Sequence, residues 1–341
     1  MKIKIRFLVS LVIFLFLIYF LTKIDFYQSY LLLKKSNVFL IFIAFILIGI
    51  NFLIFSLRSV YSLRKIKKVD FFFNLKTVMA NFFINGITPG FNLGGEPFRA
   101  YYLSKKYKKP AAKILGAIVA DKFYHSLVSF FFIVATALYV MRFIPISFEL
   151  KTLLQTLIFF VLFFFLSLFL INLFFHKERV SRFAKIIYKK ILKSNRKKNK
   201  FIKYLDKHFE NFFNGFRETL FDKKFVILAI FLSLIYWLIY FLVSYLIFLS
   251  FGFKISFFVI ISVVSLSNLL GDFSPTPGGV GLMEGSMVLF YTLFGVSVAT
   301  GLAVSIISRL LLYFYSIFIG GISLISLERN TKKKQNLGYI Y

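Results

Sequence analysis

Two stretches in opposite halves of the chain repeat the same order of residue types. Thr88 to Arg99 reads TPGFNLGGEPFR and Thr276 to Gly285 reads TPGGVGLMEG, and each has apolar sequence on both sides. Proline removes a backbone donor, and glycine releases the backbone from the helical conformation. We therefore predict that each stretch interrupts a helix and that the two interruptions together line a polar cavity.

Charged residues in and near these stretches are the first candidates for binding. Arg309 lies within an apolar run near the C-terminus and Arg99 closes the first stretch. An arginine clamps a phosphate with two donors, and ionisable residues within membrane helices are candidates for function. The sequence therefore predicts that Arg309 and Arg99 bind an anionic group. The alternative for Arg309 is a buried ion pair, with Glu284 or Glu96, that only orders the helix bundle.

Glu96 and Glu284 occupy equivalent places in the two stretches. We predict that these carboxylates bind a coupling cation or proton, or pair with Arg99 and Arg309 until substrate displaces them. The alternative is that each is a first-turn acid favoured by the helix dipole. Both readings stay open at this point.

Backbone donors complete the predicted site. A new helix is expected to begin at Gly95 to Pro97 and another at Gly281 to Gly285, and a helix N-terminus suits a phosphate or carboxylate. The predicted substrate-binding set therefore also includes Asn85, Thr88, Gly94, Gly95, Thr276, Gly278 and Gly279.

A third group of ionisable residues lies in the apolar run that starts near residue 111. Asp121 and His125 are separated by one helical turn and share a face, with Lys122 beside them. They form either an interfacial ion pair or a proton relay or headgroup contact. Asp272 and Asn92 are weaker candidates, because these residue types commonly cap helices or form turns.

Catalytic signatures are missing from the sequence. There is no cysteine, no His-Glu-x-x-His pair, no Gly-x-Ser-x-Gly elbow and no phosphate-binding P-loop. We therefore expect no catalytic residue, no metal and no cofactor, and expect the chain not to be an enzyme.

The composition defines the elements that must position these residues. With 59% hydrophobic residues, 21% aromatic residues and a mean hydropathy of +0.82, the chain is expected to be an all-α polytopic membrane protein. Apolar runs long enough to cross a bilayer predict full spans at Phe7–Leu21, Val38–Leu57, Ile114–Met141, Thr152–Phe175, Phe225–Phe251 and Val298–Leu327. Phe71–Ile87 and Ile255–Leu270 are shorter and run into the two interruptions, so they are expected to form broken or re-entrant hairpins. The first run lacks a cleavage site and is expected to be a retained helix.

The net charge of +30 follows topology rather than nucleic-acid binding. Basic residues concentrate at the N-terminus and at 58–68, 99–113, 177–224 and 329–334. Placing these segments in the cytoplasm satisfies the positive-inside rule and predicts a multi-pass plasma-membrane protein with both termini cytoplasmic. The order of span, span, broken hairpin and span then occurs twice with opposite orientation, in repeats of about 1–141 and 152–327, as in inverted-repeat transporters.

The long basic segment at 176–224 is expected to form amphipathic cytoplasmic helices. Its apolar residues recur at helical spacing among lysines, at Phe183, Ile186, Ile187, Ile191, Phe209, Phe212, Phe213 and Phe216. Either this segment is a solvated linker or it also attracts anionic lipid. Residues 328–341 are expected to form a cytoplasmic tail.

These motifs also resemble a known family. The residues that carry the resemblance are Asn85, Thr88–Gly90, Gly94–Pro97, Arg99, Asp121, Lys122, Pro275–Gly279, Gly281, Glu284, Gly285 and Arg309. The chain is similar over essentially its whole length to the transmembrane flippase-like region of lysylphosphatidylglycerol synthases and their stand-alone membrane relatives. Family members often carry arginine at the position of Lys122. Lysine keeps the positive charge of that arginine but loses its two-pronged binding.

The resemblance implies a translocase that moves a phospholipid or a lipid-linked headgroup between leaflets, with membrane lipids of anionic headgroup as partners. The soluble aminoacyl-transferase domain of the fused relatives is expected to be absent. Two alternatives share the architecture or the location: a secondary transporter of a small solute or anion, and an enzyme or accessory subunit of lipid-linked glycan assembly.

Overall fold

The computed structural model describes residues 31, 34–88, 94–143, 155, 195–272, 274 and 276–337. The predicted span at Phe7–Leu21, the predicted span at Thr152–Phe175 apart from residue 155, the residues Phe183 to Ile191 and Asn92 lie outside the described residues. The described residues are helical or connect helices, and strands are absent from this part of the chain.

The helices follow the hydrophobic runs of the sequence. In chain order they are α1 (Val38–Leu63), α2 (Phe71–Ile87), α3 (Gly95–Tyr107), α4 (Ala111–Phe143), α5 (Asn195–Leu220), α6 (Lys223–Ser250), α7 (Phe257–Asp272), α8 (Leu282–Leu293), α9 (Val298–Tyr313) and α10 (Gly320–Leu337). A 3₁₀ turn at Pro277–Gly279 lies between α7 and α8, and a π-helical segment at Phe314–Ile319 joins α9 to α10.

Four stretches of the described chain are long and apolar enough to cross a membrane. They are Val38–Leu63, Ala111–Arg142, Lys223–Ser250 and Val298–Arg329, and each matches a span predicted from the sequence. The chain is therefore an all-α membrane protein. The last span differs in one respect, because the π-helical segment interrupts what the sequence predicts as one regular helix.

The order of helix lengths repeats within the described residues. A long helix, two shorter helices separated by an interruption, and a long helical span occur first as α1 to α4 and again as α6 to α10. Both interruptions coincide with the Thr-Pro-Gly stretches. The predicted breaks are thus present, and new helices begin at Gly95 and Leu282 as the sequence indicates.

The chain divides into two compact units, and each takes helices from both halves of the sequence. The first comprises the chain up to Ser56, Phe72–Arg99, and the chain from Leu234 onward. The second comprises Leu57–Phe71 and Ala100–Ser233.

In the first unit, the π-helical segment packs against α1 and the start of α10 packs against α2. Tyr315 donates a hydrogen bond to the Phe45 carbonyl (3.1 Å), and a Cβ on Gly49 would lie 2.7 Å from the Tyr315 hydroxyl. A Cβ on Gly320 would come within 2.6 Å of the Met79 carbonyl. Small residues at both places therefore let these helices approach closely.

In the second unit, α5 lies directly against α4. A Cβ on Gly215 would clash with the Lys113 carbonyl, and a Cβ on Gly116 would clash with the Phe212 carbonyl. Phe216, at the end of the same apolar stripe, packs against a cluster formed by Ala120, Tyr124, Leu220, Phe225 and Ala229. The C-terminal half of this amphipathic helix is thus fixed to α4 by packing.

Candidate functional site

The first interruption is held together by side chains of α2. Asn85, in the last turn of α2, accepts a hydrogen bond from the Gly95 amide through its Oδ1 (2.7 Å). Thr88 donates from Oγ1 to the Ile84 carbonyl (2.7 Å) and so closes the end of the helix. Because helix termini leave backbone groups unsatisfied, these bonds stabilise both ends of the break.

The glycines of the first stretch let α3 approach α2. A Cβ on Gly95 would lie 2.5 Å from the backbone oxygen of Asn81, and a Cβ on Gly94 would lie 2.6 Å from the Thr88 hydroxyl. Asn74, at the other end of α2, is 3.4 Å from Arg99. Gly95 at the start of α3 meets Asn81, and Arg99 further along α3 meets the earlier residue Asn74. The two helices therefore run antiparallel where they begin their hairpin.

The two charged residues of this stretch are buried. Glu96 lies in the first turn of α3 with 8% of its surface exposed, and Arg99 has 2% exposed. The Arg99 guanidinium lies 6.0 Å from the centre of the Phe55 ring. A buried charge is costly unless it is compensated, so this carboxylate and this guanidinium need partners inside the protein.

The second interruption is a short 3₁₀ turn followed by a capped helix. Thr276 donates from Oγ1 to the Val280 carbonyl (2.8 Å) and lies 2.7 Å from the hydroxyl of Ser274. Gly281 precedes α8 with φ of 86°, and its amide donates to Oε2 of Glu284 (2.6 Å). Glu284 is therefore a first-turn acid that caps its own helix.

Arg309 on α9 joins this turn to α8. Its Nε lies 2.7 Å from Oε1 of Glu284, and its Nη2 donates to the Gly278 carbonyl (3.2 Å). Its side chain is 9% exposed, and the guanidinium lies 5.5 Å from the centre of the Tyr313 ring. The ion pair that the sequence leaves open for Arg309 is thus formed with Glu284.

The two interruptions meet in the first unit. Gly278 has φ of 59°, and a Cβ there would lie 3.3 Å from the carbonyl oxygen of Gly86, in the last turn of α2. Gly278 is also the residue whose carbonyl accepts from Arg309. The end of α2, the turn of the second stretch and the buried arginine therefore lie in contact. Gly279 faces the other way, toward Gly271 at the end of α7.

Asp121 and His125 belong to the second unit, where Arg58 binds both. Arg58 donates from Nε to Asp121 (2.7 Å) and from Nη1 to His125 Nδ1 (2.8 Å) and to the Ser233 hydroxyl (2.7 Å). Arg58 is 1% exposed and Asp121 is 2% exposed. Of the alternatives left open for Asp121, an ion pair is formed with Arg58, and both side chains are buried within the protein. Lys122 on the same helix is half-buried.

The sequence does not identify several polar residues that lie around these contacts. Arg58 reads as part of a basic connecting segment, yet α1 continues through it to Leu63. Tyr240 and Tyr313 interact electrostatically with the Arg309–Glu284 pair. Asn74 and Asn81 face the first stretch from α2. An arginine or asparagine inside an otherwise apolar helix is the only hint available, and it does not identify the partner.

The predicted site residues thus fall into two groups. The first unit contains both Thr-Pro-Gly stretches with Asn85, Thr88, Gly94, Gly95, Glu96, Arg99, Thr276, Gly278, Gly279, Glu284 and Arg309. Within it, the contacts join Arg309, Glu284, Gly278 and Gly86 directly, while Asn85 and Gly95 close the adjoining break. Asp121, Lys122 and His125 lie in the second unit, on α4.

The fold and these contacts define a class of protein: a polytopic helical membrane protein in which two broken helical hairpins and a buried arginine form a polar centre. The chain belongs to the family described as the lysylphosphatidylglycerol synthase TM region, whose model matches residues 5–320.

Relatives in archaea share the length of the chain. A UPF0104 membrane protein of Methanocaldococcus jannaschii is 28% identical over 341 residues, covering 98% of this chain and 99% of the relative. A UPF0104 membrane protein of Methanothermobacter thermautotrophicus is 28% identical and covers 83% of each chain. A third, of Archaeoglobus fulgidus, is 28% identical over 49% of each chain.

Proposed function

We propose that this protein is a lipid translocase that moves a phospholipid, or a lipid-linked phosphate headgroup, between the leaflets of the membrane. The headgroup binds at the place where the two interruptions meet, and Arg309 is its principal ligand. The family name, which refers to a synthase of a modified phosphatidylglycerol, supports a lipid as the substrate class.

The contact of Arg309 with the second interruption carries this proposal. A guanidinium inside a membrane helix is costly unless an anion or a hydrogen-bond acceptor compensates it. Arg309 holds one carboxylate and one carbonyl, Glu284 and Gly278, at 2.7 and 3.2 Å. A phosphodiester offers two oxygens in the spacing that a guanidinium prefers, so it competes directly for these donors.

The first stretch contributes the opposite wall of the headgroup site. Gly86 lies beside Gly278, and the adjacent Asn85 accepts a hydrogen bond from the Gly95 amide at the start of α3. Arg99 adds a second buried guanidinium to the same unit. Two buried arginines and two first-turn glutamates in one unit are the charge pattern expected of a site that exchanges internal ion pairs for a substrate anion.

Exposed apolar surface on the spans provides contact with lipid chains. In α1 the exposed residues recur at helical spacing, at Phe39, Phe42, Ile46, Ile50, Leu53 and Leu57. A stripe of this kind faces hydrocarbon in a membrane protein. We further propose the plasma membrane as the location, with both termini in the cytoplasm and the two hairpins entering from opposite sides, because this orientation places the basic segments inside.

A leaflet-exchange assay tests the function. Purified protein is reconstituted into liposomes that contain fluorescent phosphatidylglycerol, and an impermeant quencher added outside reports the fraction of label in the outer leaflet. We expect wild type to let the quencher reach label that protein-free liposomes protect. Arg309→Gln is expected to lose this exchange, and Arg309→Lys is expected to retain part of it because the charge remains without the fork.

The matched control is Arg329→Gln, which removes an exposed arginine from the same span. It is expected to exchange lipid at the wild-type rate. Thermal melting checks that wild type and Arg309→Gln are both folded. Equal lipid exchange by the two folded proteins would contradict the proposal.

A further inference from the structure

We propose that the site binds a monoanionic phosphodiester headgroup together with one proton, which is taken up by Glu284. This inference rests on the proposed function and specifies the charge of its substrate. It follows from how the two oxygens of Glu284 are used in the structure.

The two carboxylate oxygens of Glu284 have different partners. Oε1 lies 2.7 Å from Arg309, and Oε2 accepts the Gly281 amide at 2.6 Å. A phosphate that binds Arg309 competes only for the first of these contacts. The bond of Oε2 to the Gly281 amide keeps Glu284 at the α8 N-terminus, beside Arg309.

Displacement therefore leaves two anions side by side in a partly buried site. The Glu284 side chain is 19% exposed, and a carboxylate that loses its cation and gains an anionic neighbour takes up a proton. The proton comes from water on the side from which the headgroup enters. The proton is bound to Oε1, on the side that Arg309 occupied. The protonated Oε1 donates to a phosphate oxygen there, while Oε2 keeps its bond to the Gly281 amide.

Two tyrosines and an aspartate are the neighbours of the pair that the described residues identify. Tyr240 from α6 and Tyr313 from α9 interact electrostatically with Arg309 and Glu284, and Asp272 at the end of α7 interacts with Tyr240. The tyrosines are neutral, and Asp272 is exposed and acidic. Arg309 is the cation among the described residues that these interactions name. A bound phosphate therefore competes with Glu284 for Arg309.

Charge balance selects the headgroup class. The empty pair is neutral, with one guanidinium and one carboxylate. With a monoanionic phosphodiester on Arg309 and a proton on Glu284, the loaded site is neutral too. A net charge in a low-dielectric site is costly, so both forms can reorient through the membrane at similar cost. A phosphomonoester dianion would leave one uncompensated charge, and a zwitterionic headgroup would place its own ammonium on Glu284 and need no proton.

Proton uptake on lipid binding tests this inference. Phosphatidylglycerol is added to the purified protein in weakly buffered detergent with a pH indicator, and the affinity is measured between pH 5.5 and 8.5, where the phosphodiester stays ionised. Wild type is expected to take up one proton for each lipid bound. Its affinity is expected to rise by up to about tenfold for each unit that the pH falls.

Glu284→Gln mimics the protonated acid and keeps an oxygen for the Gly281 amide. This variant is expected to bind without proton uptake and without pH dependence. Asp272→Asn is the matched control, since it removes a neighbouring exposed carboxylate, and it is expected to behave as wild type. Phosphatidylcholine is expected to cause no proton uptake.

The outcomes separate this inference from the proposed function. Binding that needs Arg309 but takes up no proton in wild type overturns the inference and leaves the translocase proposal intact. The same proton uptake in Glu284→Gln as in wild type also overturns it. Binding that is unchanged in Arg309→Gln contradicts the proposed function itself. If Glu284→Gln does not fold, the wild-type proton count with phosphatidylglycerol and phosphatidylcholine decides.

Discussion

Gly278 and Gly86 lie against one another, although they belong to the two different Thr-Pro-Gly regions of the chain. A Cβ on Gly278 would be 3.3 Å from the carbonyl oxygen and 3.5 Å from the Cα of Gly86. The same residue presents its own carbonyl to Arg309. This single contact brings both interruptions and the buried arginine into one centre, and a side chain at Gly278 would push the two interruptions apart.

Gly278→Ala is expected to destabilise the protein by about 1–3 kcal/mol, because alanine is strained at φ of 59° and its methyl group meets the α2 backbone. Gly285→Ala is the matched control, since this glycine lies in α8 and a Cβ there would meet nothing within 4 Å. Helix propensity predicts a neutral effect or a gain of up to about 1 kcal/mol there. Thermal melting in detergent checks both, and a Gly278→Ala variant as stable as Gly285→Ala would contradict the observed packing.

Asp121→Asn is expected to be strongly destabilising, at about 3–5 kcal/mol, because it leaves the Arg58 guanidinium buried without its carboxylate. Asp70→Asn provides the comparison: this exposed carboxylate lies 3.9 Å from Lys106, and losing such a pair costs about 0–1 kcal/mol. Chemical unfolding of the two variants measures the difference. Equal stability of the two variants would show that Asp121 is not held as a structural ion pair.

The second unit also predicts a dependence of stability on acid. Burial alone would raise the pKa of Asp222, but the hydrogen bonds and charge of Arg64 outweigh it and hold the pKa below its ordinary value of 3.8. A carboxyl whose pKa is lower in the folded state stabilises the fold fully at pH values above its unfolded pKa. That contribution is lost as the pH falls through the folded value.

Asp222→Asn is therefore expected to lower the melting temperature at pH 7 and to narrow its gap from wild type as the pH falls below about 4. Arg64 binds Asp222 with both Nε and Nη2, at 2.9 and 2.7 Å, so Arg64→Gln is expected to show the same narrowing. Melting curves over this pH range provide the measurement. A gap that stays constant with pH would refute the linkage.

Much of the helical framework could be predicted from the sequence. Apolar length identifies α1, α4, α6 and the last span, and the Thr-Pro-Gly stretches identify where α2 and α7 end. The π-helical segment at Phe314–Ile319 was not predicted, because its own residues are mostly apolar, include no proline and continue the apolar run. It is set by tertiary packing, with Tyr315 bonded to α1.

The sequence identifies the charged residues that meet at the second interruption, but not their pairings. The sequence identifies Arg309 as a buried charge and Glu284 as a helix-start acid, and it leaves open which carboxylate the arginine meets. It assigns Arg58 to a connecting segment, because a charge at the end of an apolar run looks like a helix end. Only the contact with Asp121, on a helix distant in sequence, shows why α1 continues.

A structure of the protein in nanodiscs that contain phosphatidylglycerol tests the central claim most directly. The account predicts density for a lipid phosphate within about 3 Å of the Arg309 guanidinium, beside Gly278, with the contact between Arg309 and Glu284 broken. A headgroup bound elsewhere, with Arg309 still paired to Glu284, would contradict it.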